Sequence, residues 1–343
     1  MRKLTLRGGK VIGDGERPYI VAEMNSSHNG NVETAKAMIE AAKDCGCDCV
    51  KFQSWSAESL YADEYYMNNP ISKRIVTKFS LTPDQLLELS SYCKEIGIDF
   101  SSTPYSKEEV DFLVDKTEAP FIKIASMEIN NLPFLKYIGE KGIPIVLSTG
   151  MSTIEEIREA VKTIEATGNK QLCILHCVSV YPASAEIINL NNMVMMQEEF
   201  PNYAVGYSDH TIGYEVAAAS IALGAALVEK HFTLDNKKMG MDNNMATEPT
   251  EMKALSDACL SVYKALGSKK RSLLEGEEEQ RLKMRRSLVS TREIRSGEIL
   301  EESDIEAKRP GDGIPPDKLD MIIGKTVNTD IPKGYIIKSE YLN

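Results

Sequence analysis

The sequence predicts an α/β fold, a (β/α)8 TIM barrel followed by a small C-terminal β-rich domain. Eight short apolar runs rich in β-branched residues alternate with stretches of helical periodicity, which implies parallel pairing. The eight units occupy about 230 residues, a length that suits a closed barrel better than an open sheet. After residue 267 the composition changes to a charged run and then to short strands and turns. The expected organisation is therefore a barrel over residues 1–267, a linker over 268–286 and a small domain over 287–343.

The runs are Tyr19–Asn25, Asp48–Trp55, Asp99–Pro104, Phe121–Ser126, Pro144–Gly150, Leu172–Tyr181, Tyr203–His210 and Ala226–Thr233. Helical patterns lie between them at Val32–Asp44, Thr82–Ile96, Lys107–Lys116, Thr153–Thr167 and Gly213–Leu223. Thr82-Pro-Asp-Gln85 and Ser152-Thr-Ile-Glu155 each place a hydroxyl three residues before Gln or Glu, the spacing of a reciprocal N-terminal cap. Residues 54–81 form a long insertion after the second run, expected as a loop or lid over a site. Gly267–Arg286 reads as a charged linker with some helix. The remaining 287–343 segment is near the lower size limit for a domain standing alone.

Composition narrows the function. A chain of 343 residues with 42% hydrophobic and 27% charged residues is of ordinary globular type. No apolar run reaches the ~18–20 residues that cross a bilayer. Met1–Lys10 lacks the apolar core of a signal peptide. The expectation is a cytoplasmic protein without a membrane partner. A net charge of −11 argues against non-specific nucleic-acid binding, which needs a basic face. Cys45, Cys47 and Cys49 are spaced as a cluster. They fall at a helix-to-strand turn and a strand start, where thiols pack as small apolar groups.

In such a barrel the chemistry collects at the carboxyl ends of the strands, and side chains alternate between the two faces. Glu23 and Asn25 then share a face, as do Lys51 with Gln53, Ser208 with His210, and Glu229 with His231. Lys123, Ser126, Ser148, Thr149, Ser179 and Tyr181 stand toward the same ends. His210 and His231, on neighbouring strands, can converge as ligands of a divalent ion such as Mn²⁺, with Glu23 closing the ring beside them. Two hydrogen-bonded core histidines are the alternative. Lys51 and Lys123, ringed by hydroxyls, suit a small dianion carrying phosphate and carboxylate. Alternatively each lysine is paired with a carboxylate, Glu128 and Glu229 being available. His176 has the parity of the helix-facing side and reads as structural. His28 either meets substrate or shapes its turn.

Eight motifs now stand in order: Ala22-Glu23 with Asn25–Gly30, Val50–Gln53, Ser102–Pro104, Ile122–Ser126 with Glu128, Leu147–Met151, His176–Pro182, Gly206–His210 and Glu229–Asp235. Together they resemble the sialic acid synthase family, which includes N-acetylneuraminate, legionaminate and pseudaminate synthases. The tail, with Lys308-Arg-Pro-Gly311, is similar to that family's SAF, or antifreeze-like, domain.

The resemblance implies a transferase that joins phosphoenolpyruvate to an N-acetylated amino sugar, N-acetylmannosamine or a 2,4-diacetamido hexose, and releases phosphate. It implies metal on His210 and His231, with Mn²⁺ first and Mg²⁺ or Co²⁺ as alternatives. Glu23, Lys51, Lys123 and His231 would be catalytic. Phosphoenolpyruvate would lie on Lys51, Thr103, Lys123, Ser126, Ser148, Ser179 and Ser208. The sugar would meet Gln53, Glu128, Tyr181, Asp242 and Arg309. A domain-swapped homodimer would bring Arg309 of one copy to the other's sugar. Two positions depart from the family pattern: Gly240-Met-Asp-Asn243 replaces Gly-Pro-Asp-His, and Val178-Ser179 replaces Thr-Asn. The rival readings are another phosphoenolpyruvate-using barrel of Kdo or DAHP type, and a non-catalytic carbohydrate-binding protein.

Overall fold

The computed structural model describes residues 1–343, which fall into two compact units, Met1–Gly267 and Ser268–Asn343. The first unit contains one eight-stranded parallel sheet. Its strands are β3 (Tyr19–Glu23), β4 (Cys49–Gln53), β5 (Asp99–Thr103), β6 (Ile122–Ile124), β7 (Ile145–Ser148), β8 (Leu172–Cys177), β9 (Ala204–Asp209) and β10 (Leu227–His231). The first and last of these pair directly, with His231 opposite Glu23, and neighbours in sequence are otherwise neighbours in space. Between β5 and β6 no ladder forms, but the Ser101 hydroxyl donates to the Phe121 carbonyl at 2.9 Å. The ring of strands is thus the expected barrel.

An antiparallel hairpin of β1 (Lys3–Thr5) and β2 (Val11–Gly13) precedes it and was not foreseen. Its Leu4, Leu6 and Ile12 pack with Val21, Cys49, Val146, Cys173, Leu175 and Leu227. These belong to the inward parity of their strands. Outward-facing Ile20, Ala22, Val50 and Phe52 join the larger core beneath the helices. The alternation then dictates the next inward layer. One step past Val21 comes Glu23, past Cys49 comes Lys51, and past Leu227 comes Glu229. An apolar layer at one end leaves the polar layer at the carboxyl ends.

Helices form where the pattern places them, at Val32–Asp44, Pro83–Ile96, Lys107–Lys116, Ile154–Glu165 and Glu215–Ala222. Thr82 and Gln85 make the expected reciprocal cap. The cap expected of Ser152 and Glu155 is instead made by Thr153 and Glu156, one residue on. The insertion is also more ordered than a loop: it folds as helices Ala57–Leu60, Asp63–Asn68 and Pro70–Phe79 around buried Trp55, Tyr66, Val76 and Phe79. All seven cysteines are buried and unbridged. No helix is long and apolar enough to cross a membrane.

In the second unit, residues 268–286, read as a linker, include a helix at Glu275–Met284. Beyond it, β11 (Ser287–Ser290) and β12 (Ile305–Lys308) pair antiparallel. Leu288, Ile294, Leu300, Val327, Ile331 and Ile337 build a small core. Isolated bridges rather than long ladders tie the remaining segments together, as the short strands and turns imply.

Candidate active site

The carboxyl ends of the barrel strands surround a cavity of about 360 Å³. Its floor holds four ionisable groups that are almost wholly buried. Lys51 Nζ lies 2.5 Å from Glu23 Oε2 and 3.6 Å from Glu229 Oε2, while Lys123 Nζ lies 3.6 Å from Glu229 Oε1. Hydroxyls complete the set. Lys51 donates to Thr103 Oγ1 at 3.0 Å, Lys123 to Ser148 Oγ at 2.7 Å, and Ser208 to Glu229 at 3.0 Å. Two carboxylates against two ammonium groups leave the floor near neutrality. The lysines are therefore paired with carboxylates, as the alternative reading has it, and they also line the cavity. The pairing carboxylates are Glu23 and Glu229, whereas Glu128 accepts from Asn131 and stands outside the lining.

Burial raises the Glu23 carboxyl above its ordinary range; Lys51 opposes this and Glu229 adds to it. Glu229 also suffers burial, but Lys123 and Lys51 together hold it below the usual value. Lys123 is lowered by burial, only partly offset by Glu229. Glu23 Oε1 accepts from the Asn25 backbone N–H and from Gln53 Nε2, both at 3.0 Å. Gln53 in turn accepts from Trp55 Nε1 at 2.6 Å. A chain of donors thus fixes the carboxylate, and Gln53 is committed to it.

His210 and His231 stand with ring centroids 5.3 Å apart, and Tyr181 packs against His210 at 4.3 Å. The Val178 carbonyl can only accept, so His210 Nδ1 donates to it at 2.8 Å; burial lowers the ring's pKa, but Cys177 and this carbonyl outweigh it and hold it above the ordinary histidine value, so Nε2 offers a lone pair only once the ring gives up a proton. Burial, then His210 and the two floor lysines, hold His231 well below the ordinary histidine range, so it is neutral. Its Nδ1 is buried with no partner. Two adjacent imidazoles with an unpartnered ring nitrogen are donors of the type a divalent ion takes, provided His210 is deprotonated on binding. No third His, Cys, Asp or Glu completes a cluster, so such an ion would draw its other ligands from water and substrate. Behind the pair, Lys230 binds Asp209 at 2.7 Å and also the Thr211 carbonyl, locking the strand ends that carry both rings.

Ser126, Ser179, Tyr181 and Asp242 also line the cavity. The Ser179 hydroxyl is buried without a partner. With His231 Nδ1 it makes two buried polar atoms in this cavity that no protein group satisfies, and buried polar groups are otherwise paired. Gly150 makes room for this: a Cβ there would lie 2.2 Å from Ser179 Oγ and 2.9 Å from Ser126 Oγ. Asp242 accepts from Asn25 Nδ2 at 2.6 Å. Asn243 is buried outside the cavity and donates to the carbonyls of Asp235 and Lys238, both at 2.8 Å. The substitution at 243 therefore shapes the loop from behind rather than altering the cavity wall directly.

His28 does not line the cavity; it accepts from Gly30 N at 3.1 Å and shapes its turn. His176 faces away, against Tyr207 and the Ile188 carbonyl. Arg309 lies in the second unit, after β12. Trp55, Leu60, Tyr61, Tyr105 and Met127 line the cavity beyond the residues the sequence points to, as do Met151, the end of a quoted motif, and Met241, noted only as a departure from the family pattern. Several come from loops with no periodicity to read. Cys177 was readable by parity, opposite to His176.

Residues 38–271 match the NeuB family, and residues 285–340 match the SAF domain. The chain is 34% identical over 350 residues to N,N'-diacetyllegionaminic acid synthase of Legionella pneumophila, with 98% of each chain covered. It is 32% identical over 351 residues to N-acetylneuraminate-9-phosphate synthase of Homo sapiens, covering 99% of this chain and 97% of that one. Among solved structures it is similar to the N-acetylneuraminic acid synthetase of Leptospira borgpetersenii in complex with citrate. The TM-score there is 0.74 at 29% identity, with 81% of this chain and 95% of that chain covered.

Proposed function

The chain belongs to the NeuB family of sialic, legionaminic and pseudaminic acid synthases, and on that footing we propose that it condenses phosphoenolpyruvate with an N-acylated amino sugar to give a nine-carbon sugar acid and phosphate. The observation that carries the reading is the cavity floor. Lys51 and Lys123 stand there among convergent hydroxyls, beside two imidazoles fit to hold a metal.

Phosphoenolpyruvate is placed with its phosphate and carboxylate against Lys51, Lys123, Ser148 and the unpartnered Ser179 hydroxyl. The two ammonium groups then offset its charge through the reaction. Its methylene carbon forms a bond to the aldehyde carbon of the open-chain sugar, and the aldehyde oxygen takes up a proton to become a hydroxyl. Water adds at C2, and Glu23 accepts the proton that this water loses. The C2–O bond to phosphate then breaks, the C2 hydroxyl passes its proton to the departing phosphate as its oxygen becomes the ketone, and the 2-keto acid is left. A divalent ion on His210 and His231, Mn²⁺ being our choice, would supply Lewis-acid polarisation of the aldehyde oxygen.

The test is release of inorganic phosphate from phosphoenolpyruvate with Mn²⁺ present. The acceptors are a panel of 2-acetamido and 2,4-diacetamido hexoses, alongside arabinose 5-phosphate. Release with an amino sugar is expected. Release with the phosphorylated pentose alone would replace this reading with a Kdo-type synthase. Sugar binding without release under any condition would replace it with a carbohydrate-binding role.

A further inference from the structure

We infer that Trp55 is a positioning residue for the reaction: its indole N–H, acting through the Gln53 amide, sets the direction in which the Glu23 carboxylate points. The inference rests on the synthase reading above and adds to it a residue that works on the proton acceptor from two hydrogen bonds away.

Trp55 is the chain's one tryptophan, and it is 3% exposed. It stands two residues past Gln53, the end of β4, so alternation carries both side chains to one side. Ser54 between them turns the other way and meets the Ser102 hydroxyl at 2.5 Å. The indole ring packs among Ala57, Tyr66, Val76 and Phe79, the apolar core of the insertion. A buried indole N–H takes an acceptor, and here it is Gln53 Oε1 at 2.6 Å.

That bond does more than satisfy the indole. An indole nitrogen can only donate, and an ionised carboxylate can only accept. Of the two ways round that the Gln53 amide can lie, one alone bonds at both ends: Oε1 to Trp55 and Nε2 to Glu23 Oε1 at 3.0 Å. The reverse sets N–H against N–H at one end and oxygen against oxygen at the other. Glutamine is a long, rotamer-rich side chain, and Gln53 is only partly buried, so an amide held at Glu23 alone has water as a rival partner. Anchored at both ends, it keeps one position.

The consequence falls on Glu23. Its Oε2 faces Lys51 at 2.5 Å, and its Oε1 accepts from Gln53 and from the Asn25 backbone N–H. With Gln53 released, Oε1 keeps only the backbone donor, and the carboxylate is free to turn about its last bond. The lone pair that takes the proton of the attacking water is then no longer held in one direction. What is lost is aim, not charge. Lys51, Lys123 and Glu229 keep their partners, so the hold on phosphoenolpyruvate is unchanged.

The experiment compares wild type, Trp55→Phe, Gln53→Met and the double variant. Phosphate release is followed across a phosphoenolpyruvate titration with Mn²⁺ and the amino sugar that supports turnover, and each thermal midpoint is measured. Phenylalanine fills most of the indole's space and lacks its N–H. Trp55→Phe should lower kcat about tenfold, within the range that a small misplacement of a reacting group costs, and leave the KM for phosphoenolpyruvate within about twofold. Gln53→Met should lower kcat at least as much. In that background Trp55→Phe should cost no more than about twofold further, because its effect passes through the amide. Losses that multiply in the double variant, or a lowered thermal midpoint with kcat unchanged in Trp55→Phe, would make Trp55 a packing residue alone and overturn the inference while the synthase reading stands. A second measurement needs no turnover. The single indole gives one N–H resonance in a ¹H–¹⁵N spectrum of the ligand-free protein, and Gln53→Met and Glu23→Gln should each displace it. A resonance unmoved by both would also overturn the inference. Absence of phosphate release by wild type with every acceptor would overturn the synthase reading and this role with it.

Discussion

Replacing Glu23 by Gln separates catalysis from charge balance on the cavity floor. The amide keeps the shape, and its oxygen can still accept from the Asn25 N–H and from Gln53, which hold Oε1 at 3.0 Å. Its nitrogen would face the Lys51 ammonium, donor to donor, where Oε2 now lies 2.5 Å away. Breaking a buried pair costs about 3–5 kcal/mol of folding stability. Glu229 at 3.6 Å continues to compensate Lys51, so the loss should fall near the lower end, about 3 kcal/mol. Meanwhile the floor changes from neutral to one net positive charge, which favours a multiply charged anion. The KM for phosphoenolpyruvate should therefore hold steady or fall. Turnover should drop about 10²–10⁴-fold, the usual contribution of a positioned proton acceptor. Steady-state phosphate release across a phosphoenolpyruvate titration gives kcat and KM, and urea unfolding reports the stability loss. A variant with near-normal kcat and a KM raised tenfold would refute the reasoning. Glu23 would then be a residue that positions Lys51, not one that takes a proton.

Lys123→Met moves the floor charge the other way, to one net negative, and removes the donor to Ser148; the KM for phosphoenolpyruvate should rise about 30-fold or more, the low end for truncating one partner of a buried charge pair, as read by the same titration. His210→Ala and His231→Ala should each lose bound Mn²⁺ in metal analysis after equilibrium dialysis, and chelation of the parent should abolish phosphate release until Mn²⁺ is returned; retention of stoichiometric metal by the double variant would exclude these rings as the ligands. Gly150→Ala forces Ser126 and Ser179 to shift, and kcat/KM should fall about 10²-fold with the thermal midpoint nearly unchanged. The homodimer implied by the resemblance is tested by mixing Arg309→Ala with Lys123→Met: if Arg309 serves the other copy, randomly reassorted dimers regain about a quarter of the parent activity, whereas sites complete within one chain regain none.

The readable parts of this molecule are those governed by local rules. Strand alternation is one such rule, so the inward parity that assigns Glu23, Lys51, Ser208, Glu229 and His231 to one cavity can be taken from the residues alone. The register between strands is not local. Whether Lys51 meets Glu128 or Glu23 depends on β3 lying beside β4 with Glu23 opposite Lys51, a pairing made across 27 residues of intervening chain. The N-terminal hairpin is not legible in the sequence for a related reason. Its strands are three residues long, and their purpose, to close the apolar end of the barrel, exists only once the barrel does. At the start of Ile154–Glu165 the ambiguity is within the sequence itself. Ser152 with Glu155 and Thr153 with Glu156 are equivalent capping pairs, and packing of the helix chooses the second.

The cavity mouth lies furthest from local rules, and this has a consequence for specificity. The floor is assembled from strand ends, where a change of register would turn every side chain over and destroy the barrel. The mouth is assembled largely from the insertion at Trp55–Tyr61 and the loop around Met241–Asp242, tied to the strand ends and the loop after β3 through contacts such as Trp55 with Gln53, Asn25 with Asp242 and Met241 with Ser26. Exchanging Tyr61 or Met241 disturbs no strand pairing and no buried ion pair. On the proposed reading one floor can therefore serve many acceptors while its chemistry stays fixed, because the side chains proposed to hold phosphoenolpyruvate and those at the mouth lie on elements with separate structural duties.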